Sequence, residues 1–304
     1  MRIIRTMGTI SIASCLIAIF LVIGCATTKK ITEDIMGEGR ALKKKIAFLP
    51  TVNKTGYGGK EFKDLARAFL KVSVRHFCDD QIITDSRKTR NLLEQIPRLH
   101  SGQLDNLALS KVGRALGLNV VLEESLAEIE CVTENRGVWG FRETCMIVQL
   151  SIHVKGFDIE TGALLFDEVV RDEVEVPEHE WENIKGRRGY NKEVADRLLT
   201  KTTPVISRRI CELLGDKPWK GYITSVSGDT YTLTAGKDVG LAKGDVLEVF
   251  GTGEPIKGQA GQFYLVSGPK IGELRITKVY TNRAEAIRVN GKELQKSSHV
   301  KLKQ

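Results

Sequence analysis

From Gln149 to Lys155 polar and apolar residues alternate without a break, so that Met146, Val148, Leu150, Ile152 and Val154 share one face and Gln149, Ser151, His153 and Lys155 the other. A strand of this kind lays one side on a core and turns the other to water, which demands sheet neighbours and a covering layer on one side. Val120, Leu122 and Leu126 supply a second such face, and Leu164, Phe166 and Val170 a third, reached through the turn Asp158-Ile159-Glu160-Thr161-Gly162. Upstream the period is helical. Phe62, Leu65, Ala66, Phe69, Val72, Ser73 and Phe77 form one stripe, residues 88–96 predict a short helix ended near Pro97, and Leu104, Leu107, Ala108, Val112, Ala115 and Leu116 form another stripe stopped by Gly117. Two short apolar runs, Ile46-Ala47-Phe48-Leu49 before Pro50 and Gln81-Ile82-Ile83-Thr84, read as strands before and after the first of those helices. A helix over 191–214 closes the unit, with Pro204 expected to kink or restart it.

Beyond Asp216-Lys217-Pro218 the character changes to short β-rich runs punctuated by glycines, from Gly221 to Gly272, which indicates a small barrel. The fold class expected is α+β: a mixed-sheet α/β domain over 43–215, then a small all-β, SH3-like barrel over 219–304.

The first 25 residues read as an address. Arg2 and Arg5 precede an apolar run from Ile10 that closes with Val22-Ile23-Gly24-Cys25, the cationic start, apolar core and small residue of a secretory signal. The ending resembles the lipobox of bacterial lipoproteins, which implies that Cys25 becomes the lipidated N-terminus. Ala26 in place of Asp implies, in that pattern, sorting to the outer membrane, with the protein facing the periplasm. Residues 26–42 are polar and aperiodic and read as a tether, whose 17 residues reach at most about 60 Å.

The full chain carries a formal charge of +8. Its Lys and Arg are interspersed with Asp and Glu as on an ordinary solvated surface, and with the exported compartment this argues against nucleic acid as a partner. No cofactor is expected.

The α/β part resembles the curli-channel (CsgG-like) and TolB N-terminal group through Ile46-Ala47-Phe48-Leu49-Pro50, the helix-to-strand passage from Ala108 to Val121, and Phe157-Asp158-Ile159-Glu160-Thr161-Gly162. Residues Gly221 to Val249, with Asp238-Val239-Gly240-Leu241-Ala242-Lys243-Gly244-Asp245, and Ile271-Gly272-Glu273-Leu274 resemble the C-terminal domain of the flagellar assembly protein T (FlgT) family, where a domain of the first kind precedes this barrel in the same order. The chain departs from that family in leaving no room for its extra N-terminal domain and in carrying a lipobox.

Four further cysteines, Cys78, Cys131, Cys145 and Cys211, allow three pairings in an oxidising compartment. A hairpin that sets Ile129 opposite Ile147 would set Cys131 opposite Cys145 on the outward face, leaving Cys78 for Cys211; a zinc site and four free thiols are the alternatives. Gly56-Tyr57-Gly58-Gly59-Lys60 follows a strand and precedes a helix but lacks the spacing and the Ser or Thr of a P-loop, so it reads as turn punctuation. His76, His100, His153, His179 and His299 are scattered, and Glu178-His179-Glu180 reads as a charged surface loop. No metal site and no enzyme activity are expected. The reading is a lipid-anchored binding or scaffold protein whose partners are envelope proteins, with flagellar or secretion components among the candidates. Activation of a peptidoglycan synthase is the alternative that the α/β resemblance implies. A curli-type channel subunit fits poorly, because Gln149, His153 and Lys155 would face lipid.

Overall fold

A computed structural model of the protein describes residues 40–303 except 139, 260, 292, 293 and 297. The signal segment and Cys25 lie outside the described residues. Strand β1 (Lys44–Phe48) is buried along its whole length, since Ile46 and Phe48 enter one core while Ala47 and Leu49 enter another on the opposite face. Pro50 then interrupts it, and β2 (Val52–Asn53) resumes the pairing with the same neighbour further along. Helix α1 (Gly59–Phe77) follows, then β3 (Gln81–Ile83), α2 (Arg87–Glu94), α3 (Asn106–Leu116), three long strands β4 (Val120–Val138), β5 (Phe141–Asp158) and β6 (Leu164–Glu175), and helices α4 (Glu178–Lys185) and α5 (Lys192–Gly215).

The sheet order is β3-β1-β4-β5-β6, with β2 beside β4. β1 pairs in parallel with β3 and β4, and β4, β5 and β6 are an antiparallel meander. Helices α1, α4 and α5 cover one face through Phe62, Leu70, Trp181, Leu198 and Ile206. Burying side chains of this size stabilises by about 2 kcal/mol each. Helices α2 and α3 cover only the start of β4 and the end of β5 on the other face, through Leu93 and Leu109 over Val121 and Phe157. The rest of that face is mostly polar, with Ile147 and Val169 among its apolar residues. β6 is an edge strand, and its outer carbonyls at Glu173 and Glu175 accept from Lys201 and Arg197 of α5, which blunts the edge.

Several sequence expectations need correction. α5 runs unbroken through Pro204; the hydroxyls of Thr202 and Thr203 donate to the carbonyls of Leu198 and Leu199, one helical turn back, while the apolar face stays packed on the sheet. Glu178-His179-Glu180 is the first turn of α4, held down by buried Trp181 and Ile184, rather than a loop. Leu104 bridges to Arg98 instead of starting α3, which begins after the Asp105 cap.

The β4–β5 register also differs. Cys131 lies opposite Val148 and Cys145 opposite Glu134. Cys145 and Val148 are three positions apart, an odd offset, so the two cysteines face opposite sides of the ribbon and both are free. The expected Cys131–Cys145 bond is therefore not formed. The cause is the turn: pairing continues to Val138 opposite Phe141, with Gly140 at φ +89°, so the turn closes later than the symmetric reading placed it and the partner of Cys131 moves from Cys145 to Val148. Cys78 and Cys211 are bonded, Cα to Cα 5.4 Å, and join the end of α1 to the last turns of α5.

Residues 221–302 close a six-stranded antiparallel barrel in the order β12-β13-β8-β7-β14-β9, where β7 is Gly221–Ser227, β8 Thr230–Leu233, β9 Val246–Thr252, β12 Ser267–Val279, β13 Ala284–Gly291 and β14 His299–Leu302. A small hairpin of β10 (Ile256–Lys257) and β11 (Phe263–Tyr264) leaves the barrel between β9 and β12. Leu42, which precedes β1, is buried in the barrel core with Leu233, Leu247 and Leu274. Sheet and barrel belong to one compact unit over 42–303.

Candidate functional site

The polar face of the sheet carries rows of cross-strand partners: Glu123, Lys155 and Asp167 in one, Ser125, His153 and Val169 in the next, then Glu128, Ser151 and Arg171. Two other segments rise beside the first rows. One is the loop 98–104, shaped by backbone bonds from Leu99 to Gln103 and from Gly102 to Leu99. The other is the β10–β11 hairpin of the barrel, fixed where Leu265 N–H donates to the Thr161 carbonyl at 2.8 Å. Between them lies a cleft of about 550 Å³, floored by Phe157 and Leu164 and walled by Arg98, Gln103, Gln262 and Tyr264. A side-chain bond between Gln262 and Gln103 ties the two walls together.

Arg98, Glu123, His153 and Lys155 of the cleft are engaged in ion pairs. Arg98 donates to Glu123 at 2.5 Å and to the Gly102 carbonyl at 3.0 Å, which fixes the loop to β4. His153 meets Asp167, and Lys155 lies 3.6 Å from the same carboxylate. Burial pushes the Asp167 carboxyl up, but His153 and Lys155 outweigh it and hold the group below its usual range. Ser125, His153 and Asp167 thus stand in neighbouring strands, the residue types of a hydrolytic triad. Among the described residues, however, no hydrogen bond joins His153 to Ser125. The N–H groups around them are engaged in the strand ladders, leaving no evident oxyanion donor.

A second cluster lies where sheet and barrel meet. Lys220 reaches Glu160 and, at 3.2 Å, Asp158. Burial alone would lower the Lys220 ammonium, yet the two carboxylates raise it. Glu160 also accepts from Ser267 of β12, and Arg114 of α3 donates to the Glu160 carbonyl and to Thr252 of β9. His299 Nε2 lies 3.1 Å from Glu160 without hydrogen-bond geometry, and burial lowers its pKa to about 4 against the partial opposition of Glu160. With Glu160 at 3 % and His299 at 1 % exposure, this group is too deep to meet a substrate. It welds the two parts together, as does Lys45 of β1, which reaches Asp238 of the barrel at 2.7 Å.

The remaining sequence candidates are dispersed. His76, His100 and His179 are exposed at separate places, and among the described residues no group of side chains is arranged to hold a metal. The glycine loop serves packing: Gly58 sits at φ +60° against Tyr190 and Phe62, where a Cβ would collide with both. Tyr57 stacks edge-on to each of those rings with centroids 5.3 Å apart. Lys60 is fully exposed and pairs with Asp64. Cys131 lines a smaller cavity of about 400 Å³ with Tyr57, Lys185 and Arg187. Sequence reasoning missed the cleft, because Arg98 and Tyr264 are 166 positions apart. It also missed Glu124, whose place in the apolar stripe of Val120, Leu122 and Leu126 was the available signal.

No family profile and no curated protein matches the chain. Among solved structures, the hypothetical protein CT253 from Chlamydia trachomatis aligns at 12 % identity over 56 % of this chain and 99 % of its own, with a TM-score of 0.35. Lipoprotein GNA1162 from Neisseria meningitidis aligns at 12 % identity over 56 % and 99 %, TM-score 0.31, and the PelC dodecamer from Paraburkholderia phytofirmans at 16 % over 57 % and 95 %, TM-score 0.30. Likeness at this level leaves fold and function to be reasoned from the chain itself.

Proposed function

We propose that the protein is a lipid-anchored binding or scaffold protein of the cell envelope, attached through Cys25 and holding an extended polar segment of an envelope protein in the cleft. The observation that carries this reading is the cleft's composite construction: sheet, loop 98–104 and barrel hairpin each supply a wall, and its donors and acceptors are preset by internal pairs. A preorganised polar groove binds without first having to order its own side chains. Periplasmic orientation, outer-membrane sorting and a flagellar or secretion pathway belong to the same proposal, together with the CsgG-like, TolB-like and FlgT-like resemblances. Activation of a peptidoglycan synthase is the second reading; with a 17-residue tether it requires the synthase to come within about 60 Å of the anchoring membrane.

The test places a photo-crosslinking residue at Ser101 or Gln262, on the cleft rim, and at Thr200 on the exposed side of α5, in intact envelopes. A discrete adduct is expected from both rim positions, absent from Thr200 and lost with Arg98→Glu. Rim positions that give no more adduct than Thr200 would sink the reading.

A further inference from the structure

The chain enters its folded unit at Leu42, in the barrel core beside Gly240, and Lys43 N–H donates to the Val239 carbonyl at 2.9 Å. That end of the barrel is one continuous surface. Lys237 N–H bonds the Tyr280 carbonyl, Asp238 N–H bonds Thr281, Tyr280 N–H bonds Arg283, and Gly244 N–H bonds Ile276. Exposed on it are Lys43, Lys237, Lys243, Lys278 and Arg283, with Tyr280 under the Arg283 guanidinium at 4.4 Å.

The acids of the same surface are turned inward. Asp238 accepts from the N–H groups of Gly236 and Val239 and pairs with buried Lys45. Asp245 accepts from Ala242 N–H, and Glu285 is held by Tyr280 and Lys278. On the β3 side Asp80 is engaged by Lys44, whose ammonium also reaches the Gly215 carbonyl, and Asp79 and Asp216 are exposed acids. The carboxylates thus act as turn caps and the cations face out. A cationic surface of this kind is attracted to anionic headgroups only within about one Debye length, near 10 Å at 0.1 M salt. The tether delivers this surface there, because it is short and joins the unit at the patch itself.

We propose that this end of the barrel, centred on Lys43, Lys237, Lys243 and Arg283, docks on the anionic phospholipid surface of the membrane that holds the anchor. β4 starts beside β1 and runs away from this end for 19 residues, so docking would set the tip of the β4–β5 hairpin up to about 60 Å from the membrane. The inference rests on the lipid-anchor reading.

The test uses the full acylated chain in vesicles of phosphatidylcholine, with and without phosphatidylglycerol, and reads lysine acetylation by peptide mass spectrometry. Acetylation of Lys43, Lys237 and Lys243 should fall about five-fold in the anionic vesicles, with Lys201 unchanged and the protection lost in high salt. The triple variant Lys237→Glu, Lys243→Glu, Arg283→Glu, altered only at exposed positions, should leave Lys43 unprotected. Equal acetylation in both vesicles, or equal protection of Lys201, overturns the docking. Absence of palmitate from Cys25 would instead overturn the anchor reading, so the two failures are separable.

Discussion

Glu124 sits on the apolar face of β4 beneath α1, fully buried, with Thr51 Oγ1 donating to its Oε2 at 2.7 Å and its Oε1 without a partner among the described residues. Burial pushes its pKa up to about 7, against the bond from Thr51 and the charges of Arg67 and Lys71. A carboxyl with a raised folded pKa binds its proton more tightly in the native state, so it costs stability progressively as pH rises from about 4.5 to 7. Glu124→Gln should therefore raise stability by about 1–2 kcal/mol at pH 8 and change it little at pH 4.5, measured by denaturant titration at both values. His299 works in the opposite sense. Its folded pKa near 4 lies below the free value of 6.5, so its contribution is complete above pH 6.5 and is lost as pH falls toward 4. The carboxylates held low, Glu160, Asp167 and Glu273, give a rise of the same sign but one complete by about pH 5.5. In the Glu124→Gln background, a further rise between about pH 5.5 and 6.5 that is absent from Glu124→Gln with His299→Gln is therefore the His299 limb; equal profiles in that window would show that His299 is not the titrating group. Lys220→Met should cost about 3 kcal/mol, because Glu160 and Asp158 then stay buried beside an apolar neighbour. Adding Glu160→Gln should recover part of the loss.

At the scale of elements, what the sequence made legible was the period and what it hid was the register. The alternation from Met146 to Val154 and the Gly117 stop of α3 follow from one-dimensional spacing and are found in place, whereas the α1 stripe is rotated: Phe62, Ala66 and Ser73 are buried as expected, Leu70 and Val74 join them, and Val72 and Phe77 face outward. Register depends on where a turn closes, and the β4–β5 turn closes late, while a bulge between Leu126 and Glu128 takes up a further residue. The cleft was illegible for a related reason: its walls come from loops whose positions only the folded sheet and barrel define. Non-reducing peptide mapping should recover Cys78 linked to Cys211 with Cys131 and Cys145 as thiols. Cys78→Ala with Cys211→Ala should cost about 2–4 kcal/mol, since the bond closes a loop of 133 residues. A recovered Cys131–Cys145 peptide would restore the shorter register. Past the last pairing of β6, Ile147 with Glu175, the hairpin continues as two strands with residues 133–138 and 141–144 exposed. A two-stranded ribbon has little stability of its own, so amides there should exchange with solvent faster than those of 148–154, where both neighbours are present.

At the scale of the molecule, the boundary near Asp216-Lys217-Pro218 separates two architectures that share their cores. Leu42 and Ile82, from the sheet side of that boundary, pack in the barrel core, and Tyr222 of β7 is buried with Ala47, Leu49 and Val121 beneath α3. Ion pairs cross the same junction at Lys45 with Asp238 and Lys220 with Glu160, and Asn119 of the sheet accepts from Lys45 N–H and donates to the Lys220 carbonyl. Loss of either part would leave these groups unpaired in newly exposed apolar surface, which couples the two unfolding equilibria. Residues 42–303 are therefore expected to unfold in one calorimetric transition, with the van't Hoff and calorimetric enthalpies in agreement. Lys45→Met tests the coupling, since it leaves Asp238 without its ammonium while keeping the side chain's volume. The whole transition should move down, by about 2–3 kcal/mol at its midpoint, when followed both by Trp219 fluorescence at the barrel, in a background carrying Trp139→Phe and Trp181→Phe, and by far-ultraviolet circular dichroism of the helices. If the variant splits the melt so that only one probe moves, sheet and barrel are energetically separate, and fragments 43–215 and 219–304 should then each fold alone.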